Sequence, residues 1–287
     1  MNHSLLKLAS GRHGSGRKGQ RSGSSIPPEA TNQGIPKTPV ADDVIILCGG
    51  AGLRLRPVTG DGPKSMAQVA GSPFLEMPLR QLRRHGFQRV ILAVGYAASA
   101  IQSHFGQSFS GIDIEYSEEA SPLGTGGALS NAAPHVKSKD CLIMNGDSYT
   151  DLDLGRFAAD HRESEADVSV VVVPVDERGD AGSILLDADN QIVKFAEKER
   201  PILGAYLNAG IYMMSKEILF RIPAGRRVSL ETELFSLWIR QGHKIQAYVH
   251  YGNCVDIGTP ERYQTAQGVL AGFEVKAKCS TSKGDRE

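Results

Sequence analysis

Short apolar runs alternate with segments of helical period along most of the chain. Residues 44–47, 89–95 (RVILAVG), 112–117 and 141–144 are continuous or alternating apolar stretches of strand length. Residues 73–85 and 154–163 carry apolar positions at helical spacing. Strand and helix taking turns through the first half predicts a parallel sheet of α/β type. The second half is denser in strands, at 168–175 (strongly β-branched), 192–195, 206–213 and 245–249. That density predicts an added β layer or a mixed sheet edge. Helices are expected over 230–241 and 260–270, the latter opened by Pro260 at its first position. No repeat is visible.

Composition separates one region from the rest. Residues 1–40 hold six Gly, six Ser and four Pro, and Lys7, Arg12, Arg17, Lys18, Arg21 and Lys37 face Glu29 alone. Such a segment cannot bury enough apolar surface to offset its ordering entropy, so it is expected as a disordered basic extension. Its early lack of acidic residues faintly resembles a transit peptide. A catalytic domain is expected over 41–272 and a polar tail over 273–287. The whole chain has 32 basic and 32 acidic residues, a balance that argues against a dedicated nucleic-acid binder. No run approaches the ~18 apolar residues of a membrane helix. Cys48, Cys141, Cys254 and Cys279 lie far apart without metal-ligand spacing, which suits a reducing, cytoplasmic compartment. Glycine is in excess, 32 of 287 residues or about 11% against a usual ~7%.

Some of that excess follows the first strand, in Leu47-Cys48-Gly49-Gly50-Ala51-Gly52-Leu53-Arg54. A glycine-rich turn after a strand directs backbone N–H groups at an anion, at the sheet edge where ligands bind in α/β folds. The dinucleotide fingerprint fails here because Leu55 stands at its third glycine position. A P-loop fails because Pro63 interrupts the order Gly62-Pro63-Lys64-Ser65. Arg54 and Lys64 add a guanidinium fork and a point charge suited to phosphates. Asn145-Gly146-Asp147 ends a later strand, either as a turn or as a metal carboxylate, and Asp256 in Val255-Asp256-Ile257-Gly258-Thr259-Pro260 offers a second carboxylate.

Taken together, Gly49, Gly50, Gly52, Arg54, Leu55, Pro57, Thr59, Pro63, Lys64, Gly71 and Pro73 match a signature, and the chain resembles the sugar-1-phosphate nucleotidylyltransferases. Leu53, Ser65 and Gln68 depart from that pattern. The resemblance covers about residues 42–272. It implies the Rossmann-like three-layer α/β/α nucleotide-diphospho-sugar transferase fold with a mixed sheet. The implied reaction joins a nucleoside triphosphate to a sugar 1-phosphate and releases pyrophosphate. Leu47, Gly49, Gly50, Ala51 and Gly52 would cradle the nucleotide. Arg54 would hold the leaving pyrophosphate and Lys64 the α-phosphoryl charge, while Asp147 and Asp256 would hold Mg²⁺. Phe195-Ala196-Glu197-Lys198 and Asn208-Ala209-Gly210-Ile211-Tyr212 resemble the family's sugar-phosphate elements, so Glu197, Lys198 and Asn208 are expected there, together with Gly182, although the aromatic usually before that glycine is Ala181.

Pro122-Leu123-Gly124-Thr125-Gly126-Gly127-Ala128 resembles the base-reading loop, with Pro122 and Gly124 beside the base. Its wording is most similar to the D-glycero-D-manno-heptose 1-phosphate guanylyltransferases. Mannose-1-phosphate guanylyltransferases and glucose-1-phosphate uridylyl- or cytidylyltransferases are the alternatives. Guanine offers two adjacent donors, N1–H and the 2-amino group, which one carboxylate accepts at once, and uracil does not. Glu119 is expected to do this, with Glu118 as rival. The expected partners are therefore a nucleoside triphosphate and a sugar 1-phosphate, with self-association left open and no nucleic acid or membrane. A catalytically silent sensor on the same fold would be expected to lose Lys64 or a metal aspartate. An NAD-dependent enzyme would need an acidic residue ending the second strand, which instead runs Val94-Gly95-Tyr96.

Overall fold

The computed structural model of the protein describes residues 42–175, 183–196 and 204–281, with residues 271–281 by backbone alone. In chain order the strands are β1 (Asp43–Leu47), β2 (Gln68–Val69), β3 (Ser72–Pro73), β4 (Arg89–Val94), β5 (Ser108–Phe109), β6 (Ile112–Glu118), β7 (Asp140–Asn145), β8 (Ser148–Thr150), β9 (Val168–Pro174), β10 (Ser183–Leu186), β11 (Ile192–Ala196), β12 (Tyr206–Ser215), β13 (Ile245–Val249) and β14 (Cys254–Asp256). The helices are α1 (Arg56–Thr59), α2 (Glu76–Arg84), α3 (Ala98–Phe105), α4 (Gly124–Ala132), α5 (Leu154–Ser164), α6 (Lys216–Phe220), α7 (Phe235–Arg240) and α8 (Pro260–Thr281).

β1 lies between β4 and β7, parallel to both, and β6 continues the parallel set beyond β4. β12 then runs antiparallel against β7 on one side and β9 on the other, and β13 pairs parallel with β9. The strand-dense second half is thus a mixed edge of the same sheet. The β10–β11 hairpin joins it at Tyr206.

Alternation along the strands separates two cores, as a pleated sheet buried on both faces requires. Ile45, Ile91 and Ile143 face α4, α6 and α7, where Leu129, Leu219, Phe235 and Trp238 are buried. Val44, Ile46, Leu92 and Met144 face α2, α3 and α5, against Leu79, Leu82, Ile101 and Phe157. A third cluster, with Leu55, Phe74, Tyr149, Ile257 and Leu270, lies under α8. Asp153 caps α5 by accepting from Arg156 N at 2.9 Å.

Three elements differ from the sequence expectation. The glycine-rich 122–128 segment is helical from Gly124 onward, because Gly126 N and Gly127 N donate to Val228 O at 3.0 and 3.2 Å and a Cβ at Gly127 would stand 2.5 Å from Arg226 O. The backbone of 226–228 thus occupies the face where side chains would project. Residues 230–241 are not one α-helix. They open with a wide π turn, Leu230–Leu234, in which Leu234 N bonds Ser229 O, and only then form α7. α8 continues to Thr281, into the segment expected as a polar tail. No helix among the described residues is long and apolar enough to cross a membrane.

Candidate active site

β1 ends at Leu47 and residues 48–55 turn across the carboxyl end of the sheet. Cys48 N donates to Ala93 O at 2.9 Å and Tyr96 N to Gly49 O at 3.1 Å, which ties this loop to the end of β4. Beside it lies a cavity of about 300 Å³. Strand order sets its long axis. Asn145 and Asp147 at the end of β7 lie toward one side, Leu47 to Gly50 and Ala93 in the middle, and Glu119 and Pro122 beyond β6 on the other. Gly124, Thr125 and Ala128 of α4 contribute a wall, joined by Arg227.

At the β7 side, two short strands bring distant carboxylates together. β14 pairs antiparallel with β8, placing Asp256 opposite Ser148, and Ile257 N donates to Asp147 O at 3.0 Å. Lys64 Nζ makes an ion pair with Asp147 Oδ2, its side chain only 13% exposed. Asp256 Oδ1 accepts from Gly258 N at 2.8 Å and from Arg262 Nη1 at 3.3 Å. A Cβ added at Gly258 would stand 2.7 Å from Asp256 Oδ1 and 3.6 Å from Lys64 Nζ, so the ammonium and both carboxylates share one small volume. Among the described residues no third His, Cys, Asp or Glu joins them as a metal cage. Two carboxylates alone fit Mg²⁺, which keeps waters and takes phosphate oxygens for its remaining positions. Next to them Asn145 Oδ1 is buried with no hydrogen-bond partner among the described residues.

At the β6 side, Glu119 N donates to Val94 O at 2.9 Å, which turns the side chain back over the sheet edge. Its Oε2 accepts from Leu123 N at 2.7 Å. Its Oε1 packs closely on Gly49, where an added Cβ would stand 2.5 Å from it and 3.2 Å from Gly95 N, so a side chain at 49 would displace the carboxylate. Burial pushes the Glu119 carboxyl above the ordinary range, and the Leu123 N–H partly opposes this. Glu118 is exposed and does not line the cavity.

Of the residues expected from sequence, Leu47, Gly49, Gly50, Lys64, Glu119, Pro122, Gly124 and Asp147 line this cavity. Ala51, Gly52 and Arg54 sit further along the loop, and Asp256 meets the site through Lys64 and Gly258. Arg54 is exposed, without a side-chain partner among the described residues. The neighbouring Arg56 is instead held over the Tyr96 ring at 4.7 Å and beside Asp61 at 3.7 Å. Asn208 lies on β12 outside the cavity, with Nδ2 donating to Tyr212 Oη at 2.8 Å and Oδ1 accepting from Gly210 N at 2.9 Å. Gly182, Glu197 and Lys198 fall outside the described residues. Thr125 and Arg227 line the cavity without having been expected there as functional residues, and Asn145 does so where a turn residue was the alternative. The signal for Asn145 was its place two residues before Asp147. Arg227 carries none in the sequence, since it reaches the cavity through the packing of 226–228 on α4.

Comparison with known proteins follows the same outline. Residues 43–271 match the family described as Nucleotidyl transferase. The chain is 37% identical over 223 residues to a mannose-1-phosphate guanylyltransferase of Mycobacterium tuberculosis, covering 77% of this chain and 62% of that protein. It is 34% identical over 219 residues to a D-glycero-alpha-D-manno-heptose 1-phosphate guanylyltransferase of Campylobacter jejuni, covering 76% of this chain and 96% of that one. It thus spans less than two thirds of the mycobacterial relative and nearly all of the Campylobacter one. The crystal structure of HddC from Yersinia pseudotuberculosis complexed with GMP-PN superposes with a TM-score of 0.70 at 32% identity, over 80% of this chain and 99% of that one. The glycine loop, Lys64, Asp147 and Asp256 all lie within the matched span, and on that footing the chain belongs to the nucleotidyl transferase family, among its sugar-1-phosphate nucleotidyltransferases.

Proposed function

We propose that the protein transfers a guanylyl group from GTP to a sugar 1-phosphate, releasing pyrophosphate. The observation that carries this reading is the single cavity with a lysine–aspartate pair at one side and a half-buried carboxylate, Glu119, at the other. An oxygen of the sugar phosphate attacks the α-phosphorus, and the bond from the α-phosphorus to the bridging oxygen breaks as pyrophosphate leaves. No covalent nucleophile is required; placement and charge stabilisation supply the rate.

Gly49, Gly50, Ala51 and Gly52 receive the triphosphate on backbone N–H groups, and Arg54, free of protein partners among the described residues, neutralises the leaving pyrophosphate. Lys64 stabilises charge at the α-phosphoryl group, which requires it to exchange Asp147 for phosphate. Asp147 and Asp256 would hold Mg²⁺, which would supply Lewis-acid charge stabilisation to the phosphates. Gly182, Glu197 and Asn208 position the sugar, and Lys198 orients its phosphate. Glu119 accepts from guanine N1–H and the 2-amino group.

Heptose 1-phosphate is the first choice of acceptor because a relative with that name is covered over 96% of its length, and mannose 1-phosphate is the second. A grid of GTP, UTP, CTP and ATP against heptose, mannose and glucose 1-phosphates, scored by pyrophosphate release with and without Mg²⁺, tests the assignment. Highest release with GTP supports it, and highest release with UTP overturns the base while leaving the family intact.

A further inference from the structure

Arg227 lies in the stretch between α6 and the π turn, far in sequence from every other cation of the site. Its position is nevertheless built. Val228 N donates to Leu123 O at 2.9 Å, and Val228 O accepts from Gly126 N and Gly127 N. Gly124 has φ of +72° and no room for a Cβ, which would stand 2.7 Å from Val228 O. The backbone beside Arg227 is therefore fastened to residues that follow Pro122. Leu123, which accepts from Val228 N, also donates its own N–H to Glu119 Oε2 at 2.7 Å, so the backbone next to Arg227 and the Glu119 carboxylate are tied to the same residue, and both side chains line the cavity.

The guanidinium is exposed and has no ion pair or hydrogen bond among the described residues. Nearby carboxylates are engaged elsewhere. Glu231 accepts from Thr125 Oγ1 at 2.6 Å and Ser229 Oγ at 3.0 Å, and Glu233 accepts from Ser229 N at 2.9 Å. A cation held against a binding cavity with its five donors unspent points to a ligand acceptor pair.

Resting on the guanylyl reading above, we propose that Arg227 reads the N7/O6 edge of the guanine whose opposite donors face Glu119. An arginine fork matches these two adjacent acceptors, whereas adenine sets an amino donor where guanine has O6. Glu119 and Arg227 then form a pair of opposite charge and opposite hydrogen-bond sense, each rejecting adenine on a different edge. Guanine O6 lies between N1 and N7, so the two side chains approach from neighbouring directions without competing for one atom.

Binding of GTP, 7-deaza-GTP, ITP, ATP and UTP, each with Mg²⁺, to the wild-type protein and to Arg227→Ala, Arg227→Lys and Glu119→Gln would test this by calorimetry, without need of the sugar acceptor. 7-Deaza-GTP lacks the N7 acceptor and ITP lacks the 2-amino group. Wild type is expected to bind 7-deaza-GTP roughly 10-fold more weakly than GTP, within the discrimination a good bidentate base contact supplies. Arg227→Ala and Arg227→Lys should both lose that distinction while still disfavouring ITP, and Glu119→Gln should do the reverse. The lysine variant keeps the charge, so its failure to distinguish N7 separates base reading from attraction to phosphate. Equal weakening of GTP, ATP and UTP in Arg227→Ala, with the 7-deaza penalty retained, would overturn the proposal in favour of a phosphate contact. Wild-type indifference to 7-deaza-GTP alongside a clear GTP preference would overturn it while sparing the guanylyl reading. Absence of any GTP preference in wild type would remove that reading and this proposal together.

Discussion

β1 and β7 begin and end in opposite kinds of polar surroundings. At their amino ends charge is closed on itself. Asp43 accepts from Lys137 N, from Ser138 N at 2.9 Å and from Arg89, which also donates to Glu115 and to His135 O at 2.9 Å, and His135 turns back to Glu115. At their carboxyl ends capacity is left over. Among the described residues Asn145 Oδ1, Arg54 and Arg227 have no partner, and Lys64 is the one cation paired with Asp147. Satisfied buried networks rigidify a fold, whereas a buried polar group without a partner carries a free-energy cost that a ligand can relieve. One pair of strands thus carries a closed charge network at one end and unspent polar groups at the other.

The comparison breaks most sharply if aspartates at the two ends behave alike. Asp147→Asn or Asp256→Asn is expected to reduce turnover by at least ~10³-fold, the scale of losing a principal electrostatic contact in the transition state. Melting temperature should hardly change, since neither carboxylate is fully buried. Loss of the folded circular dichroism signal would place them in the structural class instead.

Lys64→Ala should lower kcat by ~10²–10³-fold. A second readout sharpens the point. In the ligand-free protein the ammonium already neutralises Asp147, so Lys64→Met should tighten Mn²⁺ binding without nucleotide, followed by electron paramagnetic resonance. Unchanged or weaker Mn²⁺ affinity would mean that lysine and metal do not compete for that carboxylate.

At the amino end the effect moves to stability. Asp43→Asn should cost about 3 kcal/mol, because it leaves Arg89 with one fewer charged partner in a largely buried setting. Burial alone would raise the Asp43 carboxyl, but the Ser138 and Lys137 N–H groups and Arg89 outweigh it and hold the carboxyl below the ordinary range. A depressed carboxylate contributes stability that is full above its unfolded-state pKa and fades as pH falls through the folded value. The difference in melting temperature between wild type and Asp43→Asn should therefore be large at neutral pH and shrink on acidification, with kcat little altered. A difference independent of pH would contradict the charge argument.

The smallest expected effect concerns Glu119. Burial raises its carboxyl, so protonation on acidification should remove an acceptor at a higher pH than for an ordinary glutamate. The GTP-over-UTP ratio of kcat/KM should fall as pH is lowered from neutrality, and by roughly 10–100-fold in Glu119→Gln at neutral pH. In that variant the ratio should no longer follow pH; a profile parallel to wild type would point to another titrating group.

The carboxyl-end half of this contrast was legible in the sequence. Runs of β-branched and aliphatic residues marked β1, β4, β7 and β9, and Lys64, Asp147 and Asp256 stood in recognisable segments. What stayed hidden depends on contacts between distant residues. The helix α4 was masked by glycines whose purpose is the approach of Val228 and Arg226. The β8–β14 pairing involves three residues on each side, too short for periodicity to register. Arg227 enters the cavity through backbone bonds that no local pattern encodes. The start of β1 was legible as a strand, but the network at Asp43 joins residues of 43, 89, 115 and 135–138 and has no linear signature.

The late position of β14 also has a consequence during synthesis. A nascent polypeptide that has emerged as far as β8 already holds the glycine loop, Lys64 and Asp147, whose carboxylate pairs with Lys64 and accepts from Ser148 Oγ at 3.3 Å. The second carboxylate arrives on a strand that pairs with residues 148–150 only after more than a hundred further residues have left the ribosome. Because long-range pairing of this kind is slow to form, Asp147 and Asp256 come together only after nearly all of the main sheet's strands have been synthesised. A chain ending before residue 254 would keep Lys64 and Asp147 but lack the second carboxylate and the residues of α8 that complete the third core cluster.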